Sequence, residues 1–393
     1  MPATRASGAR GRVLVLSGSA GHGHVMAARA VTAALRSRHP LLEVAHVDAV
    51  ARMWSPFKQI YRSGYERLVD KHPVLWRQLY DASNKAHPVL GGMITRMAGS
   101  RFVGLVKRFD PDVIVCTHFL APELLSGPIS KGKIRAPMHV VITDHDTHLS
   151  WNWPGIARYY VASDLVKARV ALTFGTPEDR IDVTGIPIRE MFGEPVDEVS
   201  VRVRYGLDPD RPTVLFLTGG FAAGAMGKAI QGIWRDRRDV QVLAVCGRNE
   251  RLRRRIERMP RPEGAVLHPL GFIQDVAGLM AVSDMVVAKS GGLTTSECMA
   301  MGKPLIINGS IPGQEERNAD AVIEAGAGYR ALSPEEVRYR VGLLLEDPDL
   351  RAAMARRAAR FGRPGAAGDI ADRVAAAVLP DESVERPRFH GAL

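Results

Sequence analysis

Short apolar runs alternate along the chain with longer stretches of helical spacing. Val13–Leu16, Glu43–Val47, Val113–Cys116, His139–Ile142, Tyr159–Ala162 and Ile181–Val183 form one series of predicted strands. A helix is predicted from about Val25 to Arg36, after the first strand. A second series follows at Val214–Leu217, Val240–Val245, Val266–Leu267, Met285–Val287 and Leu305–Ile307. Most of these runs are apolar at every position. Such strands are buried on both faces, so helices must cover both sides of a parallel sheet. Two series predict two Rossmann-like α/β domains. Gly193-Glu194-Pro195 and Asp208-Pro209-Asp210 bracket a polar stretch that reads as the linker. The domains are drawn at 10–195 and 196–379. Pro334 to Leu379 reads as helical and Arg/Ala-rich, and 380–393 as a frayed tail.

Composition narrows the picture. The chain has 393 residues, 46% hydrophobic and 24% charged, so it can bury sizeable cores and is not a disordered chain. Cys116, Cys246 and Cys298 are too few and too scattered for a disulfide scaffold or structural zinc, and each lies in or beside an apolar run as a small core residue. The net charge of +11 favours an anionic partner: nucleic acid, an anionic lipid surface or a phosphorylated substrate. No window of about 18 residues is apolar and uncharged, so no transmembrane helix is expected, and Val13–Leu16 is too short for a signal peptide. A cytoplasmic protein is the default.

In open α/β sheets ligands bind outside the carboxyl ends of the strands, so the loops after the strands carry the candidates. Ser17 to His24 contains three glycines and leads into a helix. Its backbone can approach a ligand closely, and His24 could act as a base; His22 is the weaker candidate. Either ring could also merely cap the helix. Thr218 to Gly224 is a second glycine turn suited to a phosphate. Gly227-Lys228 does not make a P-loop, because Ala222 and Ala229 replace the required glycine and hydroxyl. In Lys289 to Glu297, Ser290-Gly291-Gly292 could expose N–H groups to a phosphate. Thr294 is placed to cap the following helix with Glu297 three residues on. Glu297 could instead accept hydrogen bonds from a ribose diol. Gln314 and Glu315, in Ile311 to Asn318, could hold sugar hydroxyls or simply complement a helix dipole. Asp144, Asp146 and His148 have a metal-like density, although a polar catalytic or acceptor loop is the preferred reading. Finally, Ala82 to Phe109 contains no acidic residue and mixes Arg96 and Arg101 with apolar positions. It reads either as an interfacial surface for anionic lipid or as an ordinary core-facing helix with a solvated basic face. Arg248 to Arg261 reads as a solvated helix face.

Together these motifs resemble the GT-B glycosyltransferases of the monogalactosyldiacylglycerol synthase and processive diacylglycerol glucosyltransferase group. The resemblance rests on Gly21-His22-Gly23-His24, on Thr143-Asp144 with His148 and Trp151, and on Tyr159 to Ser163. Gly185-Ile186-Pro187-Ile188-Arg189, Ser290 to Glu297, and Pro312-Gly313-Gln314-Glu315 with Asn318 complete it, in order over roughly residues 12 to 330. It implies a GT-B fold and a UDP-hexose donor in the second domain. Gly219, Gly220, Arg248, Phe272, Ser290, Gly291, Gly292, Thr294, Glu297, Gly313, Gln314, Glu315 and Asn318 are assigned to that donor. The acceptor would be diacylglycerol or a related lipid, with His24 or Asp144 as base, and with His148, Trp151, Arg96 and Arg101 on the acceptor or membrane side. An inverting, metal-independent transfer without a cofactor is implied, at the inner face of the cell membrane. The rivals are a same-fold transferase acting on a lipid-linked peptidoglycan precursor, a UDP-sugar epimerase, and a nucleic-acid-binding protein. The last is suggested by charge alone, and no nucleic-acid partner is expected.

Overall fold

The computed structural model describes residues 9–19, 22–53, 73–83, 99–217 and 225–379. The first half contains β1 (Gly11–Ser17), α1 (His22–Arg38), β2 (Leu42–Asp48), α2 (Pro73–Ser83), α3 (Ser100–Phe109), β3 (Val113–Cys116), α4 (Leu120–Ser130), β4 (Met138–Val141), β5 (Ile156–Val161), α5 (Asp164–Phe174) and β6 (Ile181–Val183). The second contains α6 (Glu198–Tyr205), β7 (Thr213–Leu217), α7 (Ala225–Asp236), β8 (Gln241–Val245), α8 (Glu250–Glu257), β9 (Leu267–Leu270), α9 (Val276–Ala281), β10 (Met285–Ala288), α10 (Gly292–Ala300), β11 (Leu305–Ile307), α11 (Gln314–Glu324) and β12 (Gly328–Arg330). Three helices close the chain: α12 (Pro334–Glu346), α13 (Pro348–Phe361) and α14 (Ala366–Val378).

The expected strands are present with boundaries shifted by a residue or a few; β12 was not predicted, because Gly328–Arg330 lacks an apolar run. Helix starts follow local chemistry: the side chains of Ser163, Asp197, Asn249, Asp275, Ser333 and Asp347 each accept a hydrogen bond from a first-turn N–H.

Two parallel sheets result, in the orders β2-β1-β3-β4-β5-β6 and β12-β11-β10-β7-β8-β9. The period of two along each strand divides its residues between two cores. In the first sheet Leu14, Leu16, Ile114 and Cys116 face one cluster, while Val13, Val15, Val113 and Val115 face the other. In the second, Val214, Phe216, Val242 and Ala244 face one side and Leu215, Leu243, Val286 and Ile307 the other. Cys116, Cys246 and Cys298 are all buried and free.

The last helix departs from the linear division of the chain. α14 returns to the first sheet, where Ile370, Ala371, Val374 and Ala375 pack among Val13, Val15, Val31 and Leu35. Asp372 fixes it by accepting from Arg38 at 2.5 Å and contacting His39 at 2.8 Å. The first domain is thus completed by residues that its own stretch of sequence does not contain. Truncating Ile370, which is fully buried, to Ala should cost about 2–5 kcal/mol. Urea unfolding followed by far-UV dichroism checks this; a midpoint equal to wild type would contradict the packing.

Candidate active site

In each sheet the strand order reverses once, and the two reversal points face each other. In the first sheet it lies at β1, flanked by β2 and β3. His24, near the start of α1, meets the end of β3 there: its Nδ1 lies 2.9 Å from the Thr117 carbonyl oxygen. A carbonyl can only accept, so Nδ1 carries the proton and Nε2 of the neutral ring holds a lone pair. Thr117 Oγ1 donates in return to the His24 carbonyl at 2.8 Å. Thr143 Oγ1 lies 2.9 Å from the same Nδ1, His118 packs edge-on at 4.5 Å, and Trp151 lies 6.2 Å away. Burial lowers the His24 pKa to about 4, the Thr117 bond opposing the shift. The ring is therefore neutral at pH 7 and able to accept a proton. His22 is exposed, in keeping with the weaker case for it.

The second sheet reverses between β7 and β10. The loop after β7, with Gly219 and Gly220, lies outside the described residues. The loop after β10 runs directly against the first domain. A Cβ on Gly292 would overlap the Thr143 carbonyl oxygen and stand 3.3 Å from Asp144 Oδ1. Only glycine permits that approach. Asn318, on α11 and fully buried, closes the same seam. Its amide donates to Asp144 Oδ1 at 3.0 Å, and its oxygen accepts from the His145 N–H at 2.7 Å. Asn318 therefore holds the two domains together through Asp144. Burial raises the Asp144 pKa to about 6; the Asn318 bond opposes the shift, and the neighbouring carboxylates of Glu315 and Asp146 add to it.

On the donor side, two expectations need correction. Helix α10 begins at Gly292 with Gly291 as its cap, so Thr294 lies inside the first turn and does not cap it. The helix starts earlier because extended backbone at Gly291 already turns the chain into it. Glu315 is not a free first-turn carboxylate: it is buried, accepts from Lys289 Nζ at 2.5 Å, and accepts from the Ile311 N–H at 2.8 Å. Its carboxylate thus ties the loop after β10 to the loop after β11. Ser290 reinforces that tie, donating to the Glu315 carbonyl at 2.7 Å. Gln314, by contrast, has a buried side-chain oxygen with no hydrogen-bond partner, and Gly313 precedes it as the helix cap. Glu297 is partly buried, and desolvation pushes its pKa up to about 7, moderated by the positive charge of Arg189. Arg189 itself is anchored to the Gln274 carbonyl at 2.8 Å. At the rim, Phe272 is 64% exposed and the Arg248 guanidinium lies 5.6 Å from its ring centre. The pair offers an open aromatic and cationic surface.

On the opposite rim, α2 from the first half reaches the second. Trp76 donates to the Pro312 carbonyl at 3.0 Å, and the Tyr80 ring covers Gly313, which has φ +94° and no room for a Cβ. His148 Nδ1 accepts from the Ser150 N–H at 3.1 Å, so its Nε2–H donates to the Tyr80 carbonyl at 3.1 Å. Asp146 pairs with Arg169 at 2.6 Å. Asp144, Asp146 and His148 thus point to different partners, and among the described residues no group of three His, Cys, Asp or Glu could hold a metal ion. Trp151 is buried at 4% exposure beside His24 and Phe119, not on a membrane-facing surface; it floors the site. In α3, Phe102 and Val106 are buried while Arg101 is exposed, which is the pattern of a core-facing helix with a basic outer face. Arg96 lies outside the described residues. No helix among the described residues is long and apolar enough to cross a membrane.

Two facing Rossmann-like domains with their reversal points opposed across a cleft define the GT-B fold. Solved structures agree on the fold: Acinetobacter baumannii MurG is 14% identical, with a TM-score of 0.57, 92% of this chain and 98% of that one covered. The UDP co-structure of S. aureus MnaA is 12% identical, with a TM-score of 0.62 and coverage of 93% and 96%. The family profile of monogalactosyldiacylglycerol (MGDG) synthase matches residues 24–188, and that of the glycosyltransferase family 28 C-terminal domain matches 214–369. The processive diacylglycerol beta-glucosyltransferase of Bacillus licheniformis is 30% identical over 351 residues, 85% of this chain and 87% of the relative. That of Staphylococcus carnosus is 29% identical over 350 residues, with 88% and 87% covered. The chain belongs to the MGDG synthase and processive diacylglycerol glucosyltransferase family.

Sequence reasoning missed Thr117, Lys289 and the strap of Trp76 and Tyr80. Each acts through a partner distant in sequence, so local spacing carried no signal for it. The seam generates a direct test. Gly292→Ala should force Thr143 and α10 apart, at a cost of about 1–3 kcal/mol. Small-angle scattering should show an expanded molecule and calorimetry a lower Tm; a variant unchanged in both would contradict the close approach.

Proposed function

We propose that the protein moves a hexose from a UDP-hexose to the free hydroxyl of diacylglycerol or a related lipid, with inversion at the anomeric carbon and without a divalent metal. The observation that carries the chemistry is the fixed tautomer of His24, whose Nε2 lone pair belongs to a buried, neutral ring. The relatives' names supply the acceptor class.

In this reading residues 10–195, completed by α14, receive the acceptor, and the second sheet with its helices receives the donor. The acceptor oxygen attacks the anomeric carbon as its proton passes to His24 Nε2, with Asp144 as the alternative base. The new C–O bond forms as the bond to the β-phosphate oxygen breaks. UDP leaves with that electron pair. The N-terminal end of α10, at Gly291 and Gly292, meets the developing phosphate charge with fixed N–H dipoles, which is why no metal is required. Ser290 and Glu315 shape that turn from behind. Gly219 and Gly220 border the diphosphate. Glu297 accepts from the ribose diol, and Arg248 with Phe272 borders the base. Gln314 turns its unpartnered oxygen to a hexose hydroxyl. Asn318 is a positioning residue, since both ends of its amide are used between the domains. His148 and Trp151 shape the acceptor side, and Arg96 and Arg101 meet anionic headgroups at the inner face of the cell membrane.

The deciding assay offers purified enzyme a panel of UDP-hexoses with diacylglycerol in mixed micelles and resolves products by mass. A hexosyl-diacylglycerol of inverted configuration is expected, in equal yield with and without EDTA. A yield abolished by EDTA and restored by magnesium or zinc would overturn the metal-free mechanism.

The pH profile assigns the base. At saturating donor, kcat/KM for the acceptor should hold through neutral pH and fall only toward about 4, where His24 gains a proton. An acid limb near about 6 that disappears in Asp144→Asn would give the role to Asp144 instead.

A further inference from the structure

His118 is a buried imidazole that the transfer chemistry above leaves unused. It follows Thr117 in the loop after β3 and is 1% exposed. Three neighbours hold its ring. Phe119 stacks on it at 4.3 Å, and His24 meets it edge-on at 4.5 Å. Gly18 lies so close that a Cβ there would stand 2.7 Å from the ring. Phe119 also meets Trp151 edge-on at 6.0 Å, so His118 shares the aromatic floor of the acceptor side. Burial, aided by the neighbouring His24, keeps the His118 pKa well below the usual histidine value. Two neutral imidazoles are therefore in contact at the reversal point of the first sheet.

Hydrogen bonds give the two rings opposite tautomers. The Leu120 N–H lies 3.1 Å from His118 Nδ1. An N–H can only donate, so Nδ1 holds the lone pair and Nε2 of the neutral ring carries the proton. In His24 the proton is on Nδ1 and the lone pair on Nε2. Among the described residues nothing accepts from His118 Nε2–H and nothing donates to His24 Nε2. One ring thus offers a free donor and its neighbour a free acceptor.

That combination selects the group it can hold. A carboxylate or phosphate oxygen would satisfy the donor but oppose the lone pair. An ammonium would do the reverse. A hydroxyl satisfies both, because it carries one proton and two lone pairs. We propose that His118 is a further catalytic residue, whose Nε2–H donates to the oxygen of the acceptor hydroxyl while that hydroxyl gives its proton to His24 Nε2. Only one lone pair of the oxygen is then left free, and it is the one that attacks the anomeric carbon. In the transfer the O–H bond breaks toward His24, the new C–O bond forms, and UDP leaves with the electron pair of the bond that it loses. His118 keeps its own proton throughout. This rests on the lipid-acceptor reading above, with His24 as base, and deepens it.

Two variants separate the two nitrogens of the ring. An Asn side-chain oxygen stands in for Nδ1, and a Gln side-chain nitrogen stands in for Nε2. His118→Asn keeps an acceptor for the Leu120 N–H and removes the donor; His118→Gln keeps the donor. At saturating UDP-hexose, kcat/KM for diacylglycerol should fall about tenfold in His118→Asn, the worth of one hydrogen bond. His118→Gln should recover most of that loss, and UDP affinity should match wild type in both. The thiol analogue of diacylglycerol sharpens the comparison. Sulfur is a weak acceptor, so His118→Asn should slow transfer to the thiol by about twofold or less. A ring that only supports the fold would cost the same with both acceptors. Wild type supplies a readout that does not depend on how the variants fold. Nitrogen NMR of the imidazoles should show Nε2–H in His118 and Nδ1–H in His24. Both Nε2 signals should shift with a short-chain diacylglycerol and not with its deoxy analogue. An Nδ1–H tautomer in His118, unshifted nitrogens, a His118→Asn variant as fast as wild type, or equal losses with alcohol and thiol would each overturn the assignment. Failure of the lipid-acceptor reading has a different signature, since wild type would then glycosylate no lipid with any UDP-hexose, and both proposals would fall together.

Discussion

The site depends on the missing side chain at residue 292. With no Cβ there, the Thr143 carbonyl reaches the start of α10, and two domains with separate cores share one seam. Through that seam Thr143 touches His24, Asp144 touches Asn318, and Leu293 packs against the core of the first domain. The candidate base, the second carboxylate and the donor-side helix ends are thereby brought to one place. Neither sheet could do this alone, since each supplies only half of the contacts.

Burial then sets the chemistry of the groups that the seam encloses. His24 is held neutral with a defined tautomer, while Asp144 and Glu297 are raised to about 6 and about 7. Desolvation is the largest cause in all three. It removes charge from the His24 ring and works against charge on the two carboxyl groups. Lys289 and Glu315 show the contrasting solution: a charge pair, with a backbone N–H as third partner, that stabilises two loops.

The connection between the domains is double. The chain crosses after β6 and returns between α13 and α14, and the two crossings touch: Gly185 abuts the Arg363 side chain, and Gly193 lies against Pro364. A paired crossing restricts how the cleft can open, because both strands must bend together. His145 sits close to this region, buried against Phe361 at 5.3 Å with neither ring nitrogen hydrogen-bonded. The strap of Trp76 and Tyr80 holds the opposite rim.

The sequence by itself determined the two sheets and the loops that carry the chemistry. Runs that are apolar at every position leave a strand few other ways to bury both faces, and the glycines with polar residues after such runs mark the ends where the candidate residues lie. His24, Asp144, Gly292, Gln314 and Asn318 were all legible in this way. What the tertiary structure decided was the use of each side chain. Asn318 bridges domains, Glu315 locks two loops, Thr294 lies within its helix, and Trp151 lies buried beside His24. It also decided that α14 completes the first sheet, though it ends the described chain. A local pattern records what a residue can do and how its neighbours in sequence will fold. Partners on other elements, 26 positions away for Lys289 and Glu315 and 174 for Asp144 and Asn318, are chosen only when the sheets pack, so their contacts leave no trace in the spacing.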